Sequence, residues 1–471
     1  MIRRAALAAF TAVVVSSLTA PAEATRAKHP WPPVPRQGVT FVHYGEEHWN
    51  DDDGLRILPK VVRDTARYRP ALVSMSADKD ADNAVDSLEM WKQVMRRYDR
   101  MEIPYFAAVG NHDRSPPGTQ GIGSSVNGGS IANYLDVFSD RPYPFGDAAP
   151  ITDPKFRPRA RPASDPAGAS SHYAFEYGPV RWVYLDNSCF SFINCDAYQS
   201  PPFPDAEGNQ TMYDFLGAEA AKANAEGDLL FVVMHMPTQD DRPGHMEPTT
   251  SAHTMGEGSS PDNALFEQAA AQAGVDGVFT GHIKGQWQYQ AGAVPYYVDG
   301  GAGGEVYVGP LEEAGVDSGY WHGYRLLHVR RGQVRFTDTV PVFTKDGITI
   351  NGPVSLERGE VGQFEAFGAQ PTKEGPLVSA LALRDPDPSA PNASKLTTPA
   401  RIWTTGNRRI LSPIADDEDD PRRKERRQTI SGAFRARCPG TARVRIKSGW
   451  EKTSVKVRVL PSAKAGLPKA C

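Results

Sequence analysis

The chain has 471 residues, 40% of them apolar, and a formal net charge of −4. That length exceeds one typical domain and predicts two. The mild acidity leaves no electrostatic footprint for nucleic acid or for an anionic membrane surface.

Residues 1–24, MIRRAALAAFTAVVVSSLTAPAEA, set Arg3 and Arg4 before an apolar stretch and end on Ala22-Glu23-Ala24. A basic start, an apolar run and a small-x-small site predict a cleaved signal peptide with Thr25 as the mature start. The expected product is secreted or extracytoplasmic. The apolar run is short for a membrane span, so no transmembrane segment is expected in the mature chain. Four cysteines, Cys189, Cys195, Cys438 and Cys471, fall into a mid-chain pair and a C-terminal pair. Export makes disulfides permissible and predicts Cys189–Cys195 and Cys438–Cys471.

A Pro-rich lead-in covers 25–37. From 38 to 344, strand-like and helix-like segments alternate. GVTFVHYG predicts a strand, and LRILPKVVRDTARY a helix whose N-terminal part Pro59 limits. PALVSMSA predicts a strand, SLEMWKQVMRRYDR an amphipathic helix and PYFAAVG a further strand. Residues 114–170 are rich in Gly, Pro and Ser and predict a long surface insertion with one helical patch at IANYLDVF. SHYAFEYGPVRWVYLDN predicts a hairpin turning at Gly178-Pro179. DLLFVVMH and DGVFTG predict buried strands with the helix NALFEQAAAQAG between them. Such alternation implies an α/β layered fold. Residues 347–471 carry short alternating strands at turn-punctuated intervals, the signature of an all-β sandwich. The charge run 416–427 reads there as a solvated loop.

Five segments place metal-type residues just after a strand: Gly45-Glu46-Glu47-His48, Ala77-Asp78, Gly110-Asn111-His112-Asp113, Met234-His235 and Gly281-His282. Carboxylate, amide oxygen and imidazole together suit first-row divalent or trivalent metals. Strand ends of an α/β sheet converge on one edge, where such folds bind substrates. In GNHD the glycine allows a tight turn, and Asp113 could orient His112.

With these motifs, residues 38–344 resemble the calcineurin-like metallophosphoesterase family. PYFAAVGNHD and LLFVVMHMP carry the likeness, as does the glycine turn in VPYYVDGGAGG. The resemblance implies a four-layer α/β/β/α sandwich and two metals bridged by Asp78. It gives the second metal to Asp78, Asn111, His235 and His282. The first metal would take Glu46, His48, Asp78 and a last histidine. Here Lys284 stands in the place of that histidine, Glu46 in the place of an aspartate, and Ala77 in the place of a glycine. A charged lysine offers donors and no lone pair. The first site is therefore expected to be weak or empty, with Lys284 as a fixed positive charge or with His245 or His253 filling in. By the same resemblance His112, oriented by Asp113, is the candidate acid for a leaving oxygen.

The C-terminal region is similar to bacterial immunoglobulin-like domains, with Trp403 as a core aromatic. The expected activity is hydrolysis of a small-molecule or macromolecular phosphoester with a transition metal of the Fe, Mn or Zn class. The alternative is a non-catalytic phosphoesterase-like protein that binds a ligand or surface.

Overall fold

The computed structural model describes residues 38–79, 84–114, 133, 134, 137, 156–160, 172–188, 212–239, 262–304, 321–344, 346–372, 375–380, 401–414, 428–429, 432–448 and 450–462. The expected signal peptide, the lead-in, His245, His253, Cys189, Cys195 and Cys471 lie outside these residues. Among the described residues no helix is long and apolar enough to cross a membrane.

The α/β region begins with β1 (Val39–Tyr44), α1 (Asp52–Ala66), β2 (Val73–Met75), α2 (Val85–Arg100) and β3 (Tyr105–Ala107). The three strands are parallel neighbours. Helix α1 buries Ile57, Leu58, Val61, Val62 and Ala66, one stripe at helical spacing. It continues unbroken past Pro59, which corrects the expectation of a limited N-terminal part. The ring disturbs the carbonyl of Leu55, four residues back. Proline has no N–H to offer that carbonyl, and Leu55 lies on the exposed side of the helix, 49% exposed.

Next come β4 (Phe156–Ala160), β5 (Tyr173–Tyr177) and β6 (Val180–Tyr184), then α3 (Met212–Glu226), β7 (Leu229–Val233), α4 (Asp262–Ala273), β8 (Gly277–Thr280), β9 (Gln286–Ala291) and β10 (Val294–Asp299). They form a seven-stranded sheet in the order β4-β5-β6-β7-β8-β10-β9. Its four central strands are parallel, and β5 and β6 form the hairpin expected at Gly178-Pro179. Strand β4 falls inside the segment expected to be insertion. It pairs antiparallel with β5 and extends the sheet edge. β11 (Gly323–Val329) and β12 (Val334–Pro341) then return to the first sheet, giving β12-β11-β1-β2-β3.

Three apolar clusters show what each face covers. Val42, Val73, Met75 and Tyr105 meet Leu58, Val61, Trp91 and Met95 of the first two helices. The opposite face presents Phe41, Phe106 and Leu327 to Phe175, Trp182, Phe231 and Phe279 of the second sheet. Phe41 meets Trp182 edge-on at 5.4 Å, and Phe106 stacks on Phe175 at 4.1 Å. The far face of the second sheet packs Val183, Val232, Val278 and Tyr296 against Phe215, Leu216 and Phe266 of α3 and α4.

Past Thr344, every regular element among the described residues is a strand. β13 (Ile348–Asn351), β16 (Glu365–Thr372) and β17 (Gly375–Ala380) form one sheet. β14 (Ser355–Glu357), β18 (Arg401–Thr405), β20 (Gln428–Thr429), β22 (Gly440–Ser448) and β23 (Glu451–Leu460) form a second. β15 (Val361–Gln363), β19 (Leu411–Pro413) and β21 (Ala433–Ala436) form a third. Trp403 is fully buried in their core, as expected, beside Phe364, Phe434, Val444 and Val457. Trp321, which precedes β11, belongs to the same core. Cys438, between β21 and β22, is disulfide-bonded, and its bonded cysteine lies outside the described residues.

Candidate metal centre

The parallel strands of both sheets deliver their C-terminal ends to one edge. There the backbone zips the loops together. Glu46 N donates to Ala77 O at 3.0 Å, His48 N to Asp78 O at 2.9 Å and Gly281 N to His235 O at 2.8 Å. Five non-glycine residues in these loops have left-handed backbone: Glu46 (φ 59°), His48 (37°), Ala77 (85°), Asp78 (57°) and His282 (61°). Such conformations cost about 1 kcal/mol or more each and persist where the surroundings dictate them. A Cβ on Gly110 would stand 1.9 Å from Asp78 Oδ1, so only glycine lets the GNHD turn approach that carboxylate.

Glu46, Asp78, His235 and His282 bring ligand atoms within 4.8 Å of one another. His235 is the informative member. Its Nδ1 lies 2.8 Å from the carbonyl oxygen of Ser76, which can only accept, so Nδ1 carries a proton. Nε2 faces Asn111 Oδ1 at 2.8 Å, His282 Nδ1 at 3.1 Å and Asp78 Oδ2 at 3.2 Å. A neutral His235 therefore aims a lone pair at the oxygens of Asn111 and Asp78, which are themselves rich in lone pairs. Either a second proton or a cation must reconcile them. Burial opposes charge on His235, but the charge and hydrogen bond of Asp78, with Glu46 and the Ser76 carbonyl, raise its pKa to about 9. Two carboxylates, two imidazoles and an amide oxygen fit a first-row transition metal.

Glu46 stands differently from what the resemblance implies. Its Oε1 accepts from His282 N at 2.7 Å and lies 3.7 Å from His235 Nδ1. Its Oε2 is 3.0 Å from His48 Nε2. The longer side chain thus reaches the His235 cluster while still touching His48. A second group joins His48, Asp78 and His112, again within 4.8 Å. His48 Nδ1 lies 3.1 Å from Asp51 Oδ2, and Nε2 lies 3.6 Å from Asp78 Oδ2. Burial and the Lys284 charge act against protonation of His48, and the bonds to Asp51, Asp78 and Glu46 outweigh them. Lys284 passes beside this group. Its Cε and His48 Cδ2 each lie 3.1 Å from where a Cβ on Gly304 would stand.

Asp113 does not orient His112, which corrects that expectation. Its carboxylate accepts from Lys79 Nζ at 3.0 Å, Gly110 N at 2.9 Å and Lys79 N at 3.1 Å. Lys79 is buried, and Nζ also donates to Ala108 O at 3.0 Å. Beside this pair sits Glu47, fully buried. Burial pushes its carboxyl well above the usual carboxylate range, Lys79 opposing and Asp113, Glu46 and Asp78 reinforcing. His112 is fixed through its backbone, whose N–H donates to Asp78 Oδ1 at 3.0 Å. Its ring meets that of His48 edge-on at 4.5 Å.

Sequence reading missed four contributors. Asn187 Oδ1 accepts from His235 N and Met236 N at 2.9 and 3.1 Å, so the hairpin end holds the His235 loop. The Ser76 carbonyl fixes the His235 tautomer. Asp51, at the N-cap of α1 with no capping bond, serves His48 instead. Lys79 takes Asp113. A carboxylate three residues after His48 was the one signal available in the sequence.

The chain matches no family model and no curated protein. Among solved structures it is similar to a purple acid phosphatase from yellow lupin seeds, at 14% identity and a TM-score of 0.42 over 66% of this chain and 55% of that one. It therefore spans about half of the lupin chain. A dimetal phosphatase from Danio rerio matches at 13% identity and a TM-score of 0.35, over 66% of this chain and 99% of that one. PhoD matches at 11% identity and a TM-score of 0.41, over 74% of this chain and 73% of that one. These likenesses concern the path of the chain and carry no residue roles.

Proposed function

We propose that this protein is an exported metal-dependent phosphoesterase. The observation that carries the reading is the convergence of five strand-end segments, spread between Gly45 and His282, on the lone-pair cluster around His235. Glu46, Asp78, His235 and His282 would hold one cation, with Asn111 at its side. A bound transition-metal cation supplies Lewis acidity, drawing charge from phosphoryl oxygens and making water more acidic. The chain's own part is to hold and orient. Ser76 and Asn187 fix His235, and the His282 N–H fixes Glu46. Protonated His48 and Lys284 add positive charge on the His48 side, which suits an anionic phosphoryl group. Asp113, tied to Lys79, anchors the GNHD turn.

The packing of helices, sheet, sheet and helices supports the four-layer α/β/β/α reading. The buried Trp403 supports an immunoglobulin-like sandwich for 347–471. Export rests on residues 1–24 and accords with the disulfide at Cys438, for which Cys471 is the proposed mate, leaving Cys189 with Cys195.

Elemental analysis and turnover of aryl phosphate mono- and diesters test the function together. Native protein loaded with Mn²⁺, Fe²⁺ or Zn²⁺ should hold metal and turn over. His235→Ala should lose both while keeping its circular dichroism. Absence of any bound transition metal overturns the reading. Lys284 favours a second reading, a phosphoesterase-like binding protein, and metal without turnover would decide for it.

A further inference from the structure

We propose that the outward face of the β22–β23 ribbon in the C-terminal sandwich is a docking surface for an anionic lipid membrane. The inference stands apart from the metal centre and does not depend on it.

The two strands alternate cleanly. Val444, Ile446, Val457 and Val459 are buried in the core, and Arg443, Arg445, Lys447, Lys452, Lys456 and Arg458 are exposed on the other side. The remaining exposed positions of that side, between Thr441 and Arg458, are Thr441 and Ser454. No acid stands among them. The acids that border the face, Glu357 and Glu451, lie at its two ends, in register with Leu460 and Ser448. A chain with a net charge of −4 thus gathers six cations on one face of two strands.

Folding alone does not account for this pattern. The register sets Arg443 opposite Lys456 and Lys447 opposite Lys452, and like charges directly across a ladder destabilise it. Arg443 Nη1 donates to Ser454 Oγ at 3.1 Å, and Lys447 Nζ lies 5.5 Å from the Trp450 ring centroid. Among the described residues no carboxylate forms an ion pair with any of the six.

Three properties choose the partner. Alternate residues recur about every 6.8 Å along a strand, and neighbouring strands lie about 4.8 Å apart. The charges therefore spread over an area and meet many anions at once, as the headgroups of a bilayer present them. The face holds no aromatic ring on which a base could stack, which a single-stranded nucleic acid would use. It holds no large apolar side chain either, so attachment is electrostatic, without insertion into the acyl region.

Vesicles of equal parts phosphatidylglycerol and phosphatidylcholine are the probe, and cosedimentation of the full chain, purified after export, is the readout. Native protein should sediment with them, should not sediment with phosphatidylcholine alone and should be released as salt rises. Arg443→Gln with Lys456→Gln removes one facing pair. Each lost charge should weaken binding about fivefold, so this double variant should bind about twenty-five-fold more weakly. Because it relieves a repulsion, it should unfold in urea no earlier than native protein, which separates lost binding from lost fold. Arg330→Gln with Arg331→Gln removes the same charge from the exposed β11–β12 turn and should leave binding unchanged. An equal fall in both double variants would overturn the proposal by reducing it to net charge. Capture of soluble heparin or single-stranded DNA without binding to the vesicles would overturn it too, by making the partner a free polyanion. The acidic run 416–420 is the competing occupant within the chain. If native protein does not bind and the variant Asp416→Asn, Asp417→Asn, Glu418→Gln, Asp419→Asn, Asp420→Asn does, the face serves that run and the proposal falls. Native protein that binds none of these probes also sinks it.

Discussion

Lys284 and Lys79 are two lysines at one site with opposite effects. Lys284 lies beside His48 and works against a cation there. Replacing it with histidine removes the charge and adds a lone pair at the same point in the GHIK turn. Lys284→His should therefore hold a cation beside His48 and Asp78 more tightly than Lys284→Met, which only removes the charge. Titration of both variants with Mn²⁺ checks this, and equal affinities would show that position 284 does not reach the cation. Lys79 is structural. It lies fully buried against Asp113 and joins the Asp78 loop to the GNHD turn. Removing one member of a buried pair leaves the other charged and uncompensated, at a cost of about 3–5 kcal/mol. Lys79→Met should destabilise by that amount in urea unfolding, and adding Asp113→Asn should recover a large part. Additive losses in the double variant would mean that the two do not interact. The same pair explains why Asp113 was misread from sequence. HD side by side suggests an imidazole and its orienter, and only the fold brings Lys79 to compete.

At the scale of elements, the strands ending in the metal-type motifs were legible because each is a buried apolar run cut short by Gly, Asn, His or Asp. Helix α3 was not. Its MYDFLGAEAAKANAE spreads alanines round the helix and blurs the apolar stripe. Strand β4, FRPRA, was hidden by its proline and arginines, which an edge strand tolerates. Glu46 was expected beside His48, and the structure keeps its Oε2 3.0 Å from His48 Nε2 while also bringing the carboxylate to Asp78, His235 and His282. One methylene of reach is invisible in a motif. The docking of the two regions was also unreadable. Trp450, in the β22–β23 turn, donates from Nε1 to Asp64 O at 2.8 Å. Arg67 lies 4.2 Å from its ring centroid, and Tyr68 packs on it at 4.6 Å. All three contacts fall on the C-terminal end of α1 and the residues just after it. A hydrogen bond and a cation–π contact together contribute about 2 kcal/mol. Trp450→Ala should lower stability by that amount and increase hydrogen exchange at the C-terminal end of α1. Unchanged exchange there would make the contact incidental.

At the scale of the molecule, the two large sheets meet across an apolar layer crossed by a short polar seam. Tyr184 OH donates to Ser74 Oγ at 2.9 Å, and His43 Nδ1 lies 3.1 Å from the same oxygen. This links β1 and β2 of one sheet to β6 of the other. The His43 ring also packs 5.0 Å from Phe279 on β8. Burial and the Arg325 charge hold the His43 imidazole down to about 3, against the opposing bond to Thr280. His322, beneath the C-terminal sandwich, is lowered to about 4 by burial and by Lys284, against the Gly301 carbonyl. Gln370 of β16 clamps the His322 backbone from both sides, at 3.1 and 2.7 Å. In the unfolded chain both histidines titrate near the ordinary value of about 6.5. Between that pH and their folded values the unfolded state binds more protons, so stability falls as pH falls. The window opens at about pH 6.5 and closes near pH 3 for His43 and near pH 4 for His322. Each contributes a slope of up to about 1.4 kcal/mol per pH unit. His43→Asn cannot titrate, so its unfolding free energy should depend less on pH than that of the native protein. Between pH 6.5 and 5 the native protein should lose about 2 kcal/mol more than the variant, read from urea midpoints at constant m-value. Parallel profiles would place a charged imidazole in the seam. The sheets would then be joined at His43 by an ion rather than by a neutral hydrogen-bonded ring.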